Sequence, residues 1–368
     1  MKMVEKRDLY YLKRALRLAT SAKGKTFPNP AVGAVIVKDN QIVGSGATQK
    51  CGGNHAEKVA ILNAGEKAHG ATLYVTLEPC CHYGRTPPCT DSIITAGIRK
   101  VVVTHSDPNP LVAGKGLDQL RVAGIEVSTG LLEKEARLLN EDFFWSITKK
   151  RAWVTLKQAM TLDGRIADDR NVSKWITGEK SRTFVHELRR VHAAVAVGRS
   201  TLEFDDPQLT VRHKKGYFPA RIIFSSDELI PTSSFFYQHA HDTRSIVVVR
   251  SGAKHILKDS ASGLEFWHTG QNSRGASLVS FLETAYEQGI TSVFVEGGQR
   301  LASELLEAGL VNRIYLFYGN RLLGRGKDGI LFSKGLPMNK CISLEKMEFR
   351  SFGDDLMVTG IPLFSCES

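Results

Sequence analysis

Residues 78–89 read EPCCHYGRTPPC, placing three cysteines and a histidine in a loop broken by prolines and a glycine. Upstream, HAE sets His55 two positions before Glu57. One histidine and two cysteines form the donor set of a catalytic zinc site, which uses three protein ligands and keeps a fourth position for water. A nearby carboxylate outside that set can carry protons between water and substrate. H-x-E followed by P-C and a second cysteine is the pattern of zinc deaminases. The generic pattern spaces its cysteines C-x-x-C, whereas eight residues separate Cys80 from Cys89. The pattern does not say which of the adjacent Cys80 and Cys81 is the ligand. One competing reading is a closed structural site with Cys81, His82 or Cys51 as fourth ligand. Another is a cluster of inert buried thiols.

These residues need elements to position them. HAEKVAILNAG reads as a helix opening at His55, and PPCTDSIITAG as a helix with proline at its entrance and glycine at its exit. Helix starts favour negative charge, so a thiol there is drawn toward the thiolate that binds zinc. Zinc lowers the pKa of water from about 15.7 to about 7. Such a site would make water nucleophilic enough to attack an amine-bearing ring carbon, with Glu57 placed to pass the proton to the departing ammonia.

The rest of the first 148 residues alternates strand and helix. A first helix is expected from Asp8, as cap, to about Ala22. AVGAVIVKDNQIVGSGA reads as strand, tight turn and strand, and ATLYVTLEPC as a buried strand. RKVVVTH, GKGLDQLRVAG, IEVSTG and EKEARLLNEDFFWSI continue as strand, helix, strand and one long helix. The pattern restarts near ITKKRAW, with strands at WVTLKQAM, AAVAVGRS, ARIIFSS, SIVVVR, SVFVEGG, VNRIYLFYG and LMVTGIPLF. Helices fall at EKSRTFVHELRRVH, GASLVSFLETAYEQG and QRLASELLEAG. Two α/β domains are therefore expected, 1–148 and 149–368, each around a mostly parallel sheet.

No apolar run is long enough to cross a membrane, and the charged N-terminus is unlike a signal peptide, so a cytoplasmic enzyme with no membrane partner is expected. Four of the six cysteines fall in the first quarter, which in a reducing compartment suggests metal or catalysis rather than disulfides. The net charge of +11 is spread, with 21 basic and 14 acidic residues in 1–150 and 28 and 24 in the remainder. With no block of like charge, a nucleic-acid tail is disfavoured, while anionic small molecules such as phosphate esters suit the balance.

The chain resembles the bifunctional riboflavin-biosynthesis deaminase–reductase family. PNPAVGAVIVKD, HAE, GATLYVTLEPC, HYGRTPPC, DPNPLVAGKG and LNEDFF match its first domain. MTLDGRIA, SKWIT, DDPQLTVR and VEGG match its second. The resemblance implies a cytidine-deaminase-like α/β/α sandwich followed by a dihydrofolate-reductase-like α/β domain. Its activities are hydrolysis of a C–N bond in a cyclic amidine and NADPH-dependent reduction. A long loop between the zinc cysteines is normal in the family, and serine stands at the position of Cys81. The resemblance thus makes His55, Cys80 and Cys89 the ligands of one Zn2+ per chain. It places substrate contacts at Asn29, His82 and Arg85. Arg85 suits a phosphate, while loop packing is the plainer role for His82. Thr48 stands where the family often has a pocket-lining histidine.

No G-x-G-x-x-G follows a first strand, so nothing supports a Rossmann fingerprint. VEGG alone is no more than a tight strand–helix turn. The resemblance makes Gly297 and Gly298 part of an NADPH site, with Ala159, Trp175, Thr201, Asp205 and Ser226. Lys157, Asp205 and Glu296 match polar residues of the reductase site, Lys157 and Asp205 being candidates for its proton donor. Ser173, Arg189, Leu209, Arg212 and Glu296 match substrate contacts. The plainer alternatives are core packing for Trp175 and a solvated helix face for Arg189. A homo-oligomer, dimer or tetramer, is expected.

Two other functions compete. A nucleic-acid deaminase needs a basic face with stacking aromatics; neither occurs as a run in the first domain, and no nucleic-acid partner is expected. A zinc-stabilised scaffold should unfold when its metal is removed.

Overall fold

In the computed structural model the described residues are 3–83, 87–109, 112–212, 216–250, 253–270 and 274–364. The chain divides into two compact units, Met1–Lys150 and Arg151–Ser368.

In the first unit the elements in chain order are α1 (Met3–Ala22), β1 (Gly33–Lys38), β2 (Gln41–Ala47), α2 (Ala56–Ala64), β3 (Thr72–Val75), α3 (Cys89–Thr95), β4 (Lys100–Val103), α4 (Lys115–Val122), β5 (Glu126–Thr129), α5 (Glu133–Leu139) and α6 (Glu141–Lys149). The five strands lie in the order β2-β1-β3-β4-β5. β3, β4 and β5 run parallel, and the β1–β2 hairpin is antiparallel. Alternation of side chains across the sheet builds two apolar layers. Ala34, Ile36, Leu73, Val75, Val101 and Val103 pack on one face with Ala56, Ala60, Ile93 and Leu117. Val35, Val37, Tyr74 and Val102 pack on the other with Leu12 and Ala15 of α1. α2 lies very close to β2: a Cβ on Gly46 would stand 2.6 Å from the Ala56 carbonyl oxygen. Only glycine permits that approach, and it fixes the start of α2 against the sheet.

Two sequence expectations change here. Asp8 is not a cap, because α1 begins at Met3; its buried carboxylate accepts a 2.7 Å hydrogen bond from the Tyr74 hydroxyl. The single helix expected over residues 133–147 is two helices broken at Asn140. The buried Asn140 amide instead bonds the Ala31 backbone, accepting from its N–H at 2.9 Å and donating to its carbonyl at 2.9 Å. A side chain that stands in for a missing strand competes with helix continuation.

The second unit contains β6 (Trp153–Thr161), β7 (Arg165–Ala167), α7 (Glu179–Arg190), β8 (Ala194–Gly198), α8 (Arg199–Asp205), β9 (Ala220–Ser225), α9 (Phe235–Gln238), β10 (Ser245–Val249), β11 (His255–Asp259) and β12 (Leu264–His268). After these come α10 (Arg274–Glu287), β13 (Ser292–Glu296), α11 (Gln299–Glu307), β14 (Arg313–Gly319), β15 (Lys327–Asp328), β16 (Ser343–Phe352) and β17 (Asp355–Leu363). Ten strands form one sheet, β11-β12-β10-β9-β8-β13-β6-β14-β17-β16, parallel in its centre and antiparallel at both edges. Parallel strands covered on both faces read as continuous apolar runs. Ala194 and Ala196 enter one core and Val195 and Val197 the other.

α7 has only Gly178 at its N-cap, and the missing side-chain acceptor comes from β17. The buried Asp355 carboxylate accepts from Gly178 N at 2.7 Å and from Ser181 Oγ at 2.5 Å. β7, β11, β12, β15, β16, α8 and α9 were not expected from the sequence. They are short or exposed and lack apolar periodicity; β16 is exposed along nearly its whole length.

Candidate active sites

In the first unit two helix starts converge. His55 is the N-cap of α2, Glu57 lies in its first turn, and Cys89 is the first residue of α3. Cys80 follows β3 and is held by the start of α3, where the Cys89 N–H points at its sulfur at 3.4 Å and the Thr90 N–H donates to its carbonyl at 3.2 Å. His55 Nδ1 lies 3.6 Å from Cys80 Sγ and 3.3 Å from Cys89 Sγ. All three donor atoms fall within 4.8 Å of one another.

That spacing tests the metal. With Zn–S of about 2.3 Å and Zn–N of about 2.0–2.1 Å, tetrahedral zinc separates a nitrogen from a sulfur donor by about 3.6 Å. The observed separations match, and two thiols with an imidazole suit zinc's borderline-soft character. Among the described residues no other group of three or more His, Cys, Asp or Glu donors comes together in this way.

The electrostatics favour one thiolate already. The Cys89 thiol donates to Cys80, and with the Cys89 N–H and His55 it pulls the Cys80 pKa down to about 4. Cys89 keeps its proton, pushed upward by sharing it with Cys80 and by burial. The His55 pKa is raised, chiefly by its contact with Cys80. Glu57 is buried, and that burial, with the nearby Cys80 charge, lifts its carboxyl to about 7. A carboxyl poised there exchanges protons readily at neutral pH.

In the second unit α7, β6, β13 and the loop after α8 bring Arg189, Lys157, Glu296 and Thr210 together, while Ser173 and Asp205 form a separate pair. Lys157 on β6 is in register with Glu296 on β13. Burial lowers the Lys157 pKa, partly offset by Glu296. Arg189 grips the Glu296 carboxylate through Nε and Nη2, and its Nη1 donates to the Thr210 carbonyl at 2.9 Å. Burial opposes charge on Glu296, but Arg189 and Lys157 hold its pKa below the ordinary range. The Ser173 hydroxyl donates to Asp205 at 2.8 Å, and the Lys174 ammonium donates to the Asp205 carbonyl at 3.1 Å. Leu209 and Asp206 both take positive φ, 54° and 40°. Left-handed backbone in residues other than glycine is often found at functional loops. Arg212 donates to Gln208 at 3.1 Å.

Gly198 and Gly298 are the N-caps of α8 and α11, and neither helix start has a side-chain cap. The two turns adjoin: a Cβ on Gly298 would meet Thr201 Oγ1 at 3.2 Å. Gly297 completes the second turn, Ala159 lies on β6 opposite Phe317, and Ser226 is exposed just past β9. Trp175 is no core residue; it is 58 % exposed, with the Arg182 guanidinium over its ring at 4.4 Å.

Two family models match the chain. One, described as the cytidine and deoxycytidylate deaminase zinc-binding region, covers residues 5–105; the other, the RibD C-terminal domain, covers residues 152–358. The riboflavin biosynthesis protein RibD of Aquifex aeolicus is 44% identical over 358 residues, 97% of this chain and 99% of that one. The chain belongs to the RibD family. The Acinetobacter baumannii RibD structure superposes with a TM-score of 0.86 at 35% identity, covering 98% of this chain and 99% of that one. A Thermotoga maritima structure, described as a diaminohydroxyphosphoribosylaminopyrimidine deaminase/5-amino-6-(5-phosphoribosylamino)uracil reductase, gives 0.84 at 39% identity with the same coverage. Like its RibD relatives, the protein is a bifunctional enzyme of riboflavin biosynthesis. A zinc-dependent, cytidine-deaminase-like domain precedes a dihydrofolate-reductase-like reductase domain, which implies a nicotinamide cofactor.

The RibD motifs hold further residues whose part the sequence did not show. Glu78, in LEPC, is buried, and its carboxylate accepts backbone N–H groups of Asp107, Gly114 and Gly116, each at 3.0 Å, and Leu117 at 3.3 Å. It thereby pins the DPNPLVAGKG loop to the strand end that leads into Cys80. The acid two positions before Cys80 was visible, but its four partners were not. Within that loop burial lifts Asp107 to about 6. Asn29 is half-buried, its backbone clamped to Thr26 by bonds of 2.9 Å in each direction. His82 Nδ1 is buried with no hydrogen-bond partner among the described residues, which a polar loop filler would not leave. Arg85 lies outside the described residues. The Thr48 hydroxyl accepts from Val32 N at 3.2 Å, so it secures the hairpin end. Cys81 is half-buried, burial raises its pKa, and it stands outside the group of three donors formed by His55, Cys80 and Cys89.

Proposed function

We propose that residues 1–148 hydrolyse 2,5-diamino-6-(ribosylamino)-4(3H)-pyrimidinone 5′-phosphate, releasing ammonia, and that residues 149–368 then reduce the ribosyl chain with NADPH. The product is 5-amino-6-(ribitylamino)uracil 5′-phosphate. The observation that carries this reading is the buried Glu57 carboxyl beside the clustered His55, Cys80 and Cys89 donors. The name carried by the Thermotoga relative supports the substrate.

In this reading His55, Cys80 and Cys89 hold zinc, which when bound supplies a Lewis acid that makes water nucleophilic near neutral pH. Glu57 accepts the proton of the attacking water and returns it to the leaving nitrogen. Asn29 and the unsatisfied His82 Nδ1 orient the pyrimidine, and Arg85 takes its phosphate. In the second unit NADPH supplies hydride. Gly297, Gly298 and Thr201 leave helix-start N–H groups open to its phosphates, while Ala159, Trp175, Asp205 and Ser226 line the remainder. Arg212 and Arg189 receive the substrate phosphate, Ser173, Leu209 and Glu296 complete its pocket, and Lys157 or Asp205 holds the accompanying proton. The depressed Lys157 pKa favours release of that proton.

The enzyme is proposed to work in the cytoplasm, where the five free cysteines of the described residues stay reduced. Among those residues no helix is long and apolar enough to cross a membrane. It is proposed to form a homo-oligomer through β16, an edge strand bearing Met347 and the 64 % exposed Phe349. The test is incubation with the pyrimidine phosphate with and without NADPH, following ammonia and product mass. Ammonia should appear in both, and a product heavier by two hydrogens only with NADPH. No ammonia from zinc-loaded enzyme would refute the substrate assignment.

A further inference from the structure

The loop carrying Leu209 and Arg212 runs between α8 and β9, and past the left-handed Leu209 its residues 210–212 belong to no sheet. In an extended chain the carbonyl of one residue and the N–H two residues on point the same way, toward where a neighbouring strand would lie. Here that side is taken by α7. His186 Nδ1 stands 3.1 Å from the Thr210 carbonyl oxygen and 3.2 Å from the Arg212 N–H nitrogen. One turn along, Arg189 Nη1 donates to the same Thr210 carbonyl. Thr210 is thus already served, and an unprotonated Nδ1 that accepts from Arg212 N gives each group a partner. Burial, with Arg189 and Arg212 close by, pushes the His186 pKa down to about 4, so the ring is neutral and able to accept.

We infer that His186 is a positioning residue for the reductase: it fixes the backbone of Arg212, and so the direction in which that guanidinium meets the substrate phosphate. This rests on the reading of Arg212 as a phosphate contact. The left-handed Leu209 adds to the need, because a backbone held in a costly conformation must be secured from outside. Nothing in the HELR sequence marks His186, since its partner is a main chain 26 residues on.

The experiment measures reductase kinetics on supplied 5-amino-6-(5-phosphoribosylamino)uracil for His186→Phe, His186→Gln and Arg212→Ala, with NADPH affinity from fluorescence quenching and thermal melts as controls. Phenylalanine keeps the ring and removes the acceptor; glutamine restores an acceptor. His186→Phe should raise the KM for the pyrimidine about tenfold with kcat within about twofold, a change of about 1.4 kcal/mol. His186→Gln should recover most of that loss, and NADPH affinity should not move in either variant. A merely structural histidine would instead lower kcat, NADPH affinity and the melt together, with no rescue by glutamine. If Arg212→Ala raises KM but a folded His186→Phe does not, the positioning role is wrong. If His186→Phe melts early, glutamine decides: a folded His186→Gln with a KM as poor as Arg212→Ala also overturns it. If neither Arg212→Ala nor His186→Phe moves KM, the phosphate reading of Arg212 itself is wrong.

Discussion

The two catalytic units build their sites from opposite kinds of distance. In the deaminase, His55 and Cys89 are 34 positions apart and both sit at helix starts on one side of one sheet. In the reductase, Arg189 and Glu296 are 107 positions apart, and the groups around them come from two strands, a helix and a loop. The first site brings two thiol sulfurs and an imidazole together, with no Lys or Arg among the groups that shift the Cys80 thiol. The second lets its charges neutralise each other, Arg189 with Glu296, while the Ser173 hydroxyl donates to the Asp205 carboxylate. A short-range site is thus committed to a metal, whereas a long-range site is a balanced network whose members act jointly.

If that contrast is right, single changes should be all-or-none in the first unit and graded in the second. The largest effect is expected for Cys89→Ser and Cys80→Ser, which should lose zinc and all measurable deamination, while Cys81→Ser keeps one zinc per chain. Metal analysis decides, and zinc loss from Cys81→Ser would mean that the ligand set has been misassigned. Next comes Glu57→Gln, which should keep zinc and fold but lower ammonia release by about 10²–10⁴-fold, since an amide cannot accept and return a proton. Its NADPH consumption on supplied intermediate should stay near wild type, and Asp205→Ala should show the reverse pattern. Loss of reduction in folded Glu57→Gln would collapse the comparison into one shared centre.

Arg212→Ala should weaken pyrimidine binding to the reductase by on the order of 10- to 150-fold, the worth of a charged hydrogen bond of roughly 1.5–3 kcal/mol. NADPH binding should be untouched; an equal loss of both would show that the network cannot be taken apart by ligand. The smallest effect is in stability. His186 has a folded-state pKa near 4 against 6.5 for the free side chain. Between those values the unfolded chain binds more protons, so stability rises with pH through the window and is lost as pH falls from 6.5 toward 4. Allowing for half-exposure, about 1–2 kcal/mol is expected. Urea midpoints at pH 7 and pH 4.5 should therefore differ less in His186→Gln than in wild type.

The same contrast governs what the sequence reveals. His55, Glu57, Cys80 and Cys89 are legible because helix starts and a strand end are written in the residues beside them. The central strands are legible too, since AVAVG and RIIFS carry their burial in composition. The break at Asn140 is not, because the Ala31 backbone it serves is 109 positions away. Glu78 looks like any strand-end acid until four amides from a distant loop are seen around it. β16 escapes notice because an exposed edge strand needs no apolar alternation. Arg189 could be read as a solvated face of α7, and only the fold shows it locked onto Glu296.

The Asp355 cap on α7 has a consequence in time. A chain leaves the ribosome from its N-terminus at roughly 5–20 residues per second. The acceptor that completes the start of α7 lies 177 residues after Gly178, so it emerges roughly ten to thirty seconds later. The helix that carries His186 and Arg189 must wait that long, with its first turn open, while the whole of the first unit has already emerged. A nascent chain stalled before β17 would already deaminate and could not yet reduce.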